Sequence, residues 1–263
     1  MVRCRTLPEP EPGRSADGGA GRRAREIEHH RAIAERAEII WNWDSPSGRR
    51  RARRRADLFV ERTGLGPGGQ VLELGCGTGV FLDQVAERGA DASLHGLDLS
   101  MDLLAQAHRR LAKRRNVRLH CGDAEQMPFP DAIFDAVYGS SVLHHLDLSR
   151  ALREVHRVLK PGGRLVFAEP NILNPQVALM FHLGLTKRYF GVSPDEMAFS
   201  RFRARSALRA TGFREARVDP FDFLHPATPA RFVEAVSRFG ALLERTPLVR
   251  EIAGSLLIQA VKM

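Results

Sequence analysis

The chain has 263 residues, 43% of them hydrophobic, enough to bury a full core in one decorated domain. The formal charge is +9, and the three cysteines are odd in number and lack metal-ligand spacing, which fits free thiols in a reducing, cytoplasmic compartment. No window reaches the roughly 18 apolar residues of a membrane span.

Met1 to about Gly21 is rich in Pro, Gly, Glu and Ser and has little to bury. It is expected to be a disordered tail, and it lacks the apolar stretch of a secretory signal. A helix is expected over Arg22 to Ile40, a loop over Trp41 to Gly48, and a second helix over Arg49 to Thr63, so that 22–63 forms a helical cap. Before Ala56 the chain carries 14 Arg, no Lys and 8 acidic residues, with arginine at 49–51 and 53–55. Such a run can bind nucleic acid. No aromatics are interleaved to stack bases, so a solvated helix face is the simpler reading, and it argues against a nucleic-acid partner. Trp41 and Trp43 either staple the cap to the core or wall a pocket.

Val71 to Leu74 reads as a buried strand. It runs into Gly75-Cys76-Gly77-Thr78-Gly79 and then a helix from Val80 to Arg88. Glycines let the backbone turn sharply and approach a ligand, and the helix behind them offers free N–H groups. Asp98 follows at the end of a second strand, Leu94 to Leu97, at the spacing where doubly wound α/β proteins place a ribose-binding carboxylate. The pattern points to an adenosine-type cofactor. Its G-x-G-x-G spacing differs from the G-x-G-x-x-G of a dinucleotide site, and no P-loop Gly-Lys-Ser/Thr is present.

A third strand, Val117 to His120, leads to Gly122-Asp123-Ala124. A fourth ends at Val137-Tyr138-Gly139-Ser140. The segment Leu152 to Gly163 leads into a fifth, Arg164 to Ala168. This ordered set resembles the class I S-adenosylmethionine-dependent methyltransferases, in particular the small-molecule subgroup that includes quinone C-methyltransferases. The resemblance is strong over Gln70 to Asn171. It implies a Rossmann-like α/β fold over 64–263: a doubly wound, seven-stranded, mostly parallel sheet with an antiparallel C-terminal edge strand, and a cap over the cofactor pocket.

By that resemblance the cofactor is S-adenosyl-L-methionine. Gly75, Cys76, Gly77 and Gly79 would pass close to its methionine portion, and Glu73 would organise the turn or reach the ammonium. Asp98 would accept from both ribose hydroxyls, and Leu99 and Met101 would flank the adenine. Asp123 and the Ala124 backbone would read the adenine edge, and the Ser140 carbonyl would meet the ammonium. His144, His145 and Glu169 are the candidate catalytic bases.

An apolar insertion at about 172–198 should stand at the carboxyl edge of the sheet. A helix Arg201 to Thr211, a strand Phe213 to Asp219, a helix Pro229 to Glu244 and a last strand Ser255 to Lys262 should follow. The expected activity is O- or C-methylation of a small metabolite, and the apolar insertion together with Phe221 to Pro226 favours one that is partly apolar. The alternative is RNA or protein methylation through the basic N-terminal helix. The residues suggest no metal and do not specify an oligomeric state.

Overall fold

The structure is a computed structural model that describes residues 3–4, 17–64, 66–88, 91–182 and 197–263. Strand β2 (Gln70–Leu74) is its centre. Val71, Leu72, Glu73 and Leu74 are all buried, as in a parallel strand covered on both faces. β2 pairs in parallel with β3 (Ser93–Asp98) on one side and β5 (Phe134–Ser140) on the other. β4 (Val117–Cys121) continues beyond β3, and β6 (Leu159–Pro170) beyond β5. The strand order therefore reverses at β2, and ligands of such sheets lie outside the carboxyl ends at that point.

β7 (Phe213–Phe221) and β8 (Ser255–Lys262) close one side as an antiparallel hairpin. β8 lies between β6 and β7, so the antiparallel strand is one in from the edge. These seven strands form the expected mostly parallel sheet. A two-residue strand, β1 (Arg3–Cys4), adds to the opposite edge beside β4, within the expected tail.

Core residues fill both faces. Leu72, Leu74, Val137 and Phe167 pack against Ala151, Leu152 and Val155 of a helix at Leu148–Val158. Val71, Leu94 and Tyr138 pack on the other face against Ala52, Ala56 and Phe59. Those three belong to α2 (Pro46–Thr63), so α2 is in part a core helix rather than only a cap. It starts at Pro46, ahead of the expected Arg49. Ser45 accepts from Gly48 N at 2.9 Å as its N-cap, and proline suits the first helical position.

α1 (Asp17–Ile33) begins inside the expected tail and stops short of Ile40. A 3₁₀ turn at Ala34–Arg36 and a short helical turn at Ala37–Ile40 follow. The apolar insertion begins with a helix, Pro175–His182. Its stretch 183–196 lies outside the described residues.

The arginine run corrects one expectation. Arg49, Arg50 and Arg53 are exposed, but Arg51 and Arg54 are half-buried and Arg55 is buried. Spacings of three and four residues put 51, 54 and 55 on the inward face of α2. Arg54 makes two hydrogen bonds to Glu244 at 2.7 and 2.5 Å, and Arg51 Nε reaches Asp222 Oδ2 at 2.8 Å. Half of the run is thus consumed in internal ion pairs.

Candidate active site

A cavity of about 450 Å³ opens at the carboxyl ends of β2, β3 and β5, within the range of small-ligand sites. Its floor is the turn after β2. Gly75, Gly77 and Gly79 all have positive φ (65°, 50° and 79°). At Gly75 a Cβ would also stand 2.4 Å from Val142 Cγ2, so glycine is required there for conformation and for space. The turn is sewn to β3, since Gly75 N and Cys76 N both donate to Leu97 O at 2.8 and 3.1 Å.

Asp98 is buried at the end of β3, where Oδ2 accepts from Gly77 N at 2.8 Å and Oδ1 from Ser100 N at 2.9 Å. A carboxylate has about four acceptor sites. Two remain for a ligand in the cavity it lines, which suits the paired hydroxyls of a ribose.

Cys76, Leu99, Asp123, Ala124 and Ser140 also line the cavity. Burial and the Asp98 charge push the Cys76 thiol well above its ordinary range, so it stays protonated and inert. Asp123 carries an unexpected partner: Oδ1 accepts from Glu125 N at 2.8 Å, and Oδ2 from Arg23 of α1 at 2.8 Å.

Three expected cofactor contacts fall elsewhere. Glu73 does not line the cavity. Strand alternation turns it into the core, where it accepts from Tyr138 Oη at 2.9 Å and burial pushes its carboxyl well up. Gly79 caps the following helix, Val80–Glu87, and a Cβ there would meet Ala107 Cβ at 3.2 Å, so its role is helix packing. Met101 is 46% exposed and outside the lining.

Glu169 is the main correction among the candidate bases. It is fully buried, and Oε1 accepts from Val142 N and Leu143 N, both at 2.9 Å. Oε2 lies 2.8 Å from His144 Nδ1. The carboxylate thus caps the turn Leu143–His145 and orients His144, so it cannot meet an acceptor itself. His144 and His145 do line the cavity, with ring centroids 4.2 Å apart.

Sequence reasoning missed the part played by α1. Glu26, His29 and His30 all line the cavity. His145 Nδ1 lies 2.8 Å from Glu26 Oε1, and His30 Nε2 lies 3.4 Å from the same oxygen. Burial works to raise the Glu26 carboxyl, but His145, His30 and His29 outweigh it and hold it at about 2. Burial lowers the His30 imidazole, against Asp98 and Glu26, so near neutral pH it is an uncharged ring able to accept a proton. Arg22 donates to His145 O at 3.0 Å and also bonds Glu125. The i,i+4 pair Glu26–His30 was the only local hint of this cluster.

Trp41, Trp43, Val142, Pro226, Met180 and Phe181 also line the cavity, with Trp41 edge-on to His30 at 6.3 Å and Phe181 edge-on to His144 at 5.8 Å. Trp43 packs edge-on against Phe81 at 5.1 Å, so it both staples and walls. Among the described residues no His, Cys, Asp and Glu group could hold a metal, and no helix is long and apolar enough to cross a membrane. The site offers carboxylate acceptors for hydroxyl groups, apolar side chains and imidazole rings.

Residues 72–167 match the family model described as "Methyltransferase domain". The chain is 31% identical over 197 residues to demethylmenaquinone methyltransferase of Geobacillus stearothermophilus, covering 67% of this chain and 84% of the relative. It is 32% identical over 190 residues to malonyl-[acyl-carrier protein] O-methyltransferase of Geobacter sulfurreducens, covering 70% and 69%. The chain spans about half the length or less of several other curated relatives it matches. Its fold is like that of a methyltransferase solved with the Trm112 activator of Haloferax volcanii, with a TM-score of 0.66, 22% identity, and coverage of 90% of this chain and 96% of that one. The chain belongs to the class I S-adenosylmethionine-dependent methyltransferases.

Proposed function

We propose that the cavity binds S-adenosylmethionine and that the protein methylates oxygen or carbon of a small, partly apolar metabolite. The observation that carries this reading is one continuous cavity joining the glycine turn and Asp98 to an apolar wall of Val142, Met180, Phe181 and Pro226. When bound, the cofactor supplies a methyl group on a sulfonium, an excellent leaving group for in-line displacement.

The protein's own work is then positional. Gly75 and Gly77 let the main chain close on the amino-acid end. Asp98 holds the ribose hydroxyls with its two spare acceptor sites. Leu99, Leu103 and Ala124 flank the adenine, and Asp123 reads its edge. His144, His145 and His30 stand on the acceptor side, where an imidazole nitrogen can take a proton from a hydroxyl. Trp41 and Phe181 exclude water. The RNA reading loses its main support, because Arg51, Arg54 and Arg55 turn inward to Asp222 and Glu244.

The test is transfer of tritiated methyl from S-adenosylmethionine, with the full chain, to hydroquinones and phenols bearing apolar tails, and in parallel to bulk tRNA and protein. Label is expected in the apolar small-molecule fraction, with RNA and protein at background. Label confined to RNA or protein would contradict the reading.

A further inference from the structure

The helix ahead of β8 presents an apolar face that no described residue covers. A 3₁₀ turn, Ala230–Phe232, runs into this helix at Val233–Leu243. Its inward side carries Val233 and Gly240, both buried, with Val236, Ser237 and Leu243 half-buried. Gly240 lies against Phe223, where an added Cβ would stand 3.2 Å from the Phe223 Cβ. The outward side carries Phe232, Ala235, Phe239 and Leu242, spaced by three, four and three residues, so all four fall in one stripe. Phe232 is 46% exposed, Phe239 62% and Leu242 59%. At about 150–250 Å² for a whole aromatic side chain, the stripe shows roughly 300 Å² of apolar surface, a size at which patches on monomers often serve an interaction.

Positive charge borders the stripe. Arg231, Arg238 and Arg245 recur every seven residues, and all three are exposed. Glu234 is the one acidic residue that this helix exposes, and Arg238 Nε donates to it at 3.0 Å, while Glu244 is turned inward to Arg54. The Arg231 guanidinium lies over the Phe232 ring, with Cζ 4.7 Å from its centre, so the arginine stem follows the apolar surface and carries its charged head to the edge. Arg50 of α2, also exposed, stands beside Ser237, Gly240 and Ala241 and adds a fourth cation. A second copy of this face would bring the same excess of charge against it, so the pattern selects an anionic partner. The helix Arg201–Ala210 shows what the stripe adds. It exposes Phe202 with Arg203, Arg205 and Arg209, but the positions three, four and seven residues after Phe202 are Arg205, Ser206 and Arg209, so no apolar stripe forms.

We propose that the helix Val233–Leu243 docks on an anionic lipid surface, with Phe232, Phe239 and Leu242 entering the acyl boundary and Arg231, Arg238 and Arg245 meeting the lipid phosphates. An apolar stripe edged with arginine is how a helix lies in the plane of such a surface without crossing it. The place in the chain gives the docking a use. His225, Pro226 and Ala227 line the large cavity, and only Thr228 and Pro229 separate them from the 3₁₀ turn that starts the stripe. A docked helix therefore holds that part of the cavity near lipid, where a partly apolar acceptor dissolves. The docking goes beyond the methylation reading and does not rest on it, since it needs neither cofactor nor acceptor.

The test is co-sedimentation of the full chain with vesicles of phosphatidylcholine alone and of an equimolar mixture with phosphatidylglycerol, at physiological salt, with circular-dichroism melting to show that each variant is folded. One variant combines Phe239→Ser with Leu242→Ser. A second combines Arg231→Gln, Arg238→Gln and Arg245→Gln. The control combines Phe202→Ser, Arg203→Gln, Arg205→Gln and Arg209→Gln on the other helix, which removes as many charges. Wild type should bind the mixed vesicles, and phosphatidylcholine alone at least about 10-fold more weakly. Each stripe variant should lose about 10–100-fold in its partition onto the mixed vesicles. The control should stay within about 2-fold of wild type, because charges beyond a Debye length from the surface are screened. No binding of wild type to the mixed vesicles, or equal losses in the control and the stripe variants, overturns the proposal. A wild-type dimer in sedimentation velocity that Phe239→Ser with Leu242→Ser converts to monomer, with no vesicle binding, assigns the stripe to a second copy and overturns it too. Vesicle binding is read without cofactor, so its failure leaves the methylation reading standing.

Discussion

Below the cavity, Gly75 and Asp98 are fixed by main-chain hydrogen bonds at the strand ends of the parallel sheet, and Gly77 by its N–H donating to the Asp98 carboxylate. Above it, Arg22, Arg23, Glu26 and His30 hang from α1, the arginines held by ion pairs to Glu125 and Asp123 and Glu26 lying 2.8 Å from His145 Nδ1. The floor cannot move without breaking the sheet. The roof rests instead on a few part-buried side-chain pairs, which can be removed without breaking the sheet. The same cavity therefore has one half built into the sheet and another held largely by side-chain pairs.

This contrast can be broken from either side, and the floor should give the larger effects. Glu169→Ala removes the acceptor for Val142 N and Leu143 N and the partner of His144. It should destabilise the fold by about 3–5 kcal/mol, the range for breaking a buried charged network, and chemical denaturation checks this. Gly75→Ala combines a left-handed φ with a Cβ 2.4 Å from Val142, and should cost at least about 2 kcal/mol in the same assay. On the roof, Arg22→Ala with Arg23→Ala should cost only about 0.2–1 kcal/mol per pair. In that variant amide exchange should speed up within 17–33 and stay unchanged in β2 and β5. Equal speeding in both regions would mean that the roof and floor are one cooperative unit.

The remaining test of the roof is a titration. Free Glu26 would take a proton near its ordinary 4.5, but docked it does so only at about 2. Protonation between those values therefore favours the undocked helix, so the stability this carboxylate lends is complete above pH 4.5 and gone by about pH 2. A carbon-13 titration should find Glu26 ionising near the lower value, and His145→Ala should move it upward. A midpoint near 4.5 in wild type would show that α1 does not dock as described.

What could be read from the residues follows the same division. The glycine turn and Asp98 at a strand end were legible because left-handed backbone, strand ends and strand–helix spacing are local constraints written in consecutive residues, whereas the doubly wound sheet was expected only by resemblance. Glu169 and Glu73 were misassigned because their partners, Val142 to His144 and Tyr138, lie far along the chain, and only the fold reveals that a strand-end carboxylate is already saturated. The contribution of α1 was invisible for a related reason. The helix docks through charged pairs rather than an apolar stripe, so hydrophobic periodicity does not register it. The arginine run looked uniform, yet the period of α2 divides it into three exposed residues and three turned inward.

The central claim is that the rigid floor holds S-adenosylmethionine through Asp98. Calorimetric titration of the full chain with S-adenosylhomocysteine, for wild type and Asp98→Asn, with NAD as the control ligand, tests it most directly. The account predicts binding by wild type, no comparable binding of NAD, and affinity weaker by about 1–3 kcal/mol in Asp98→Asn with the protein still folded. Unchanged affinity in Asp98→Asn, or NAD bound as well as S-adenosylhomocysteine, would contradict it.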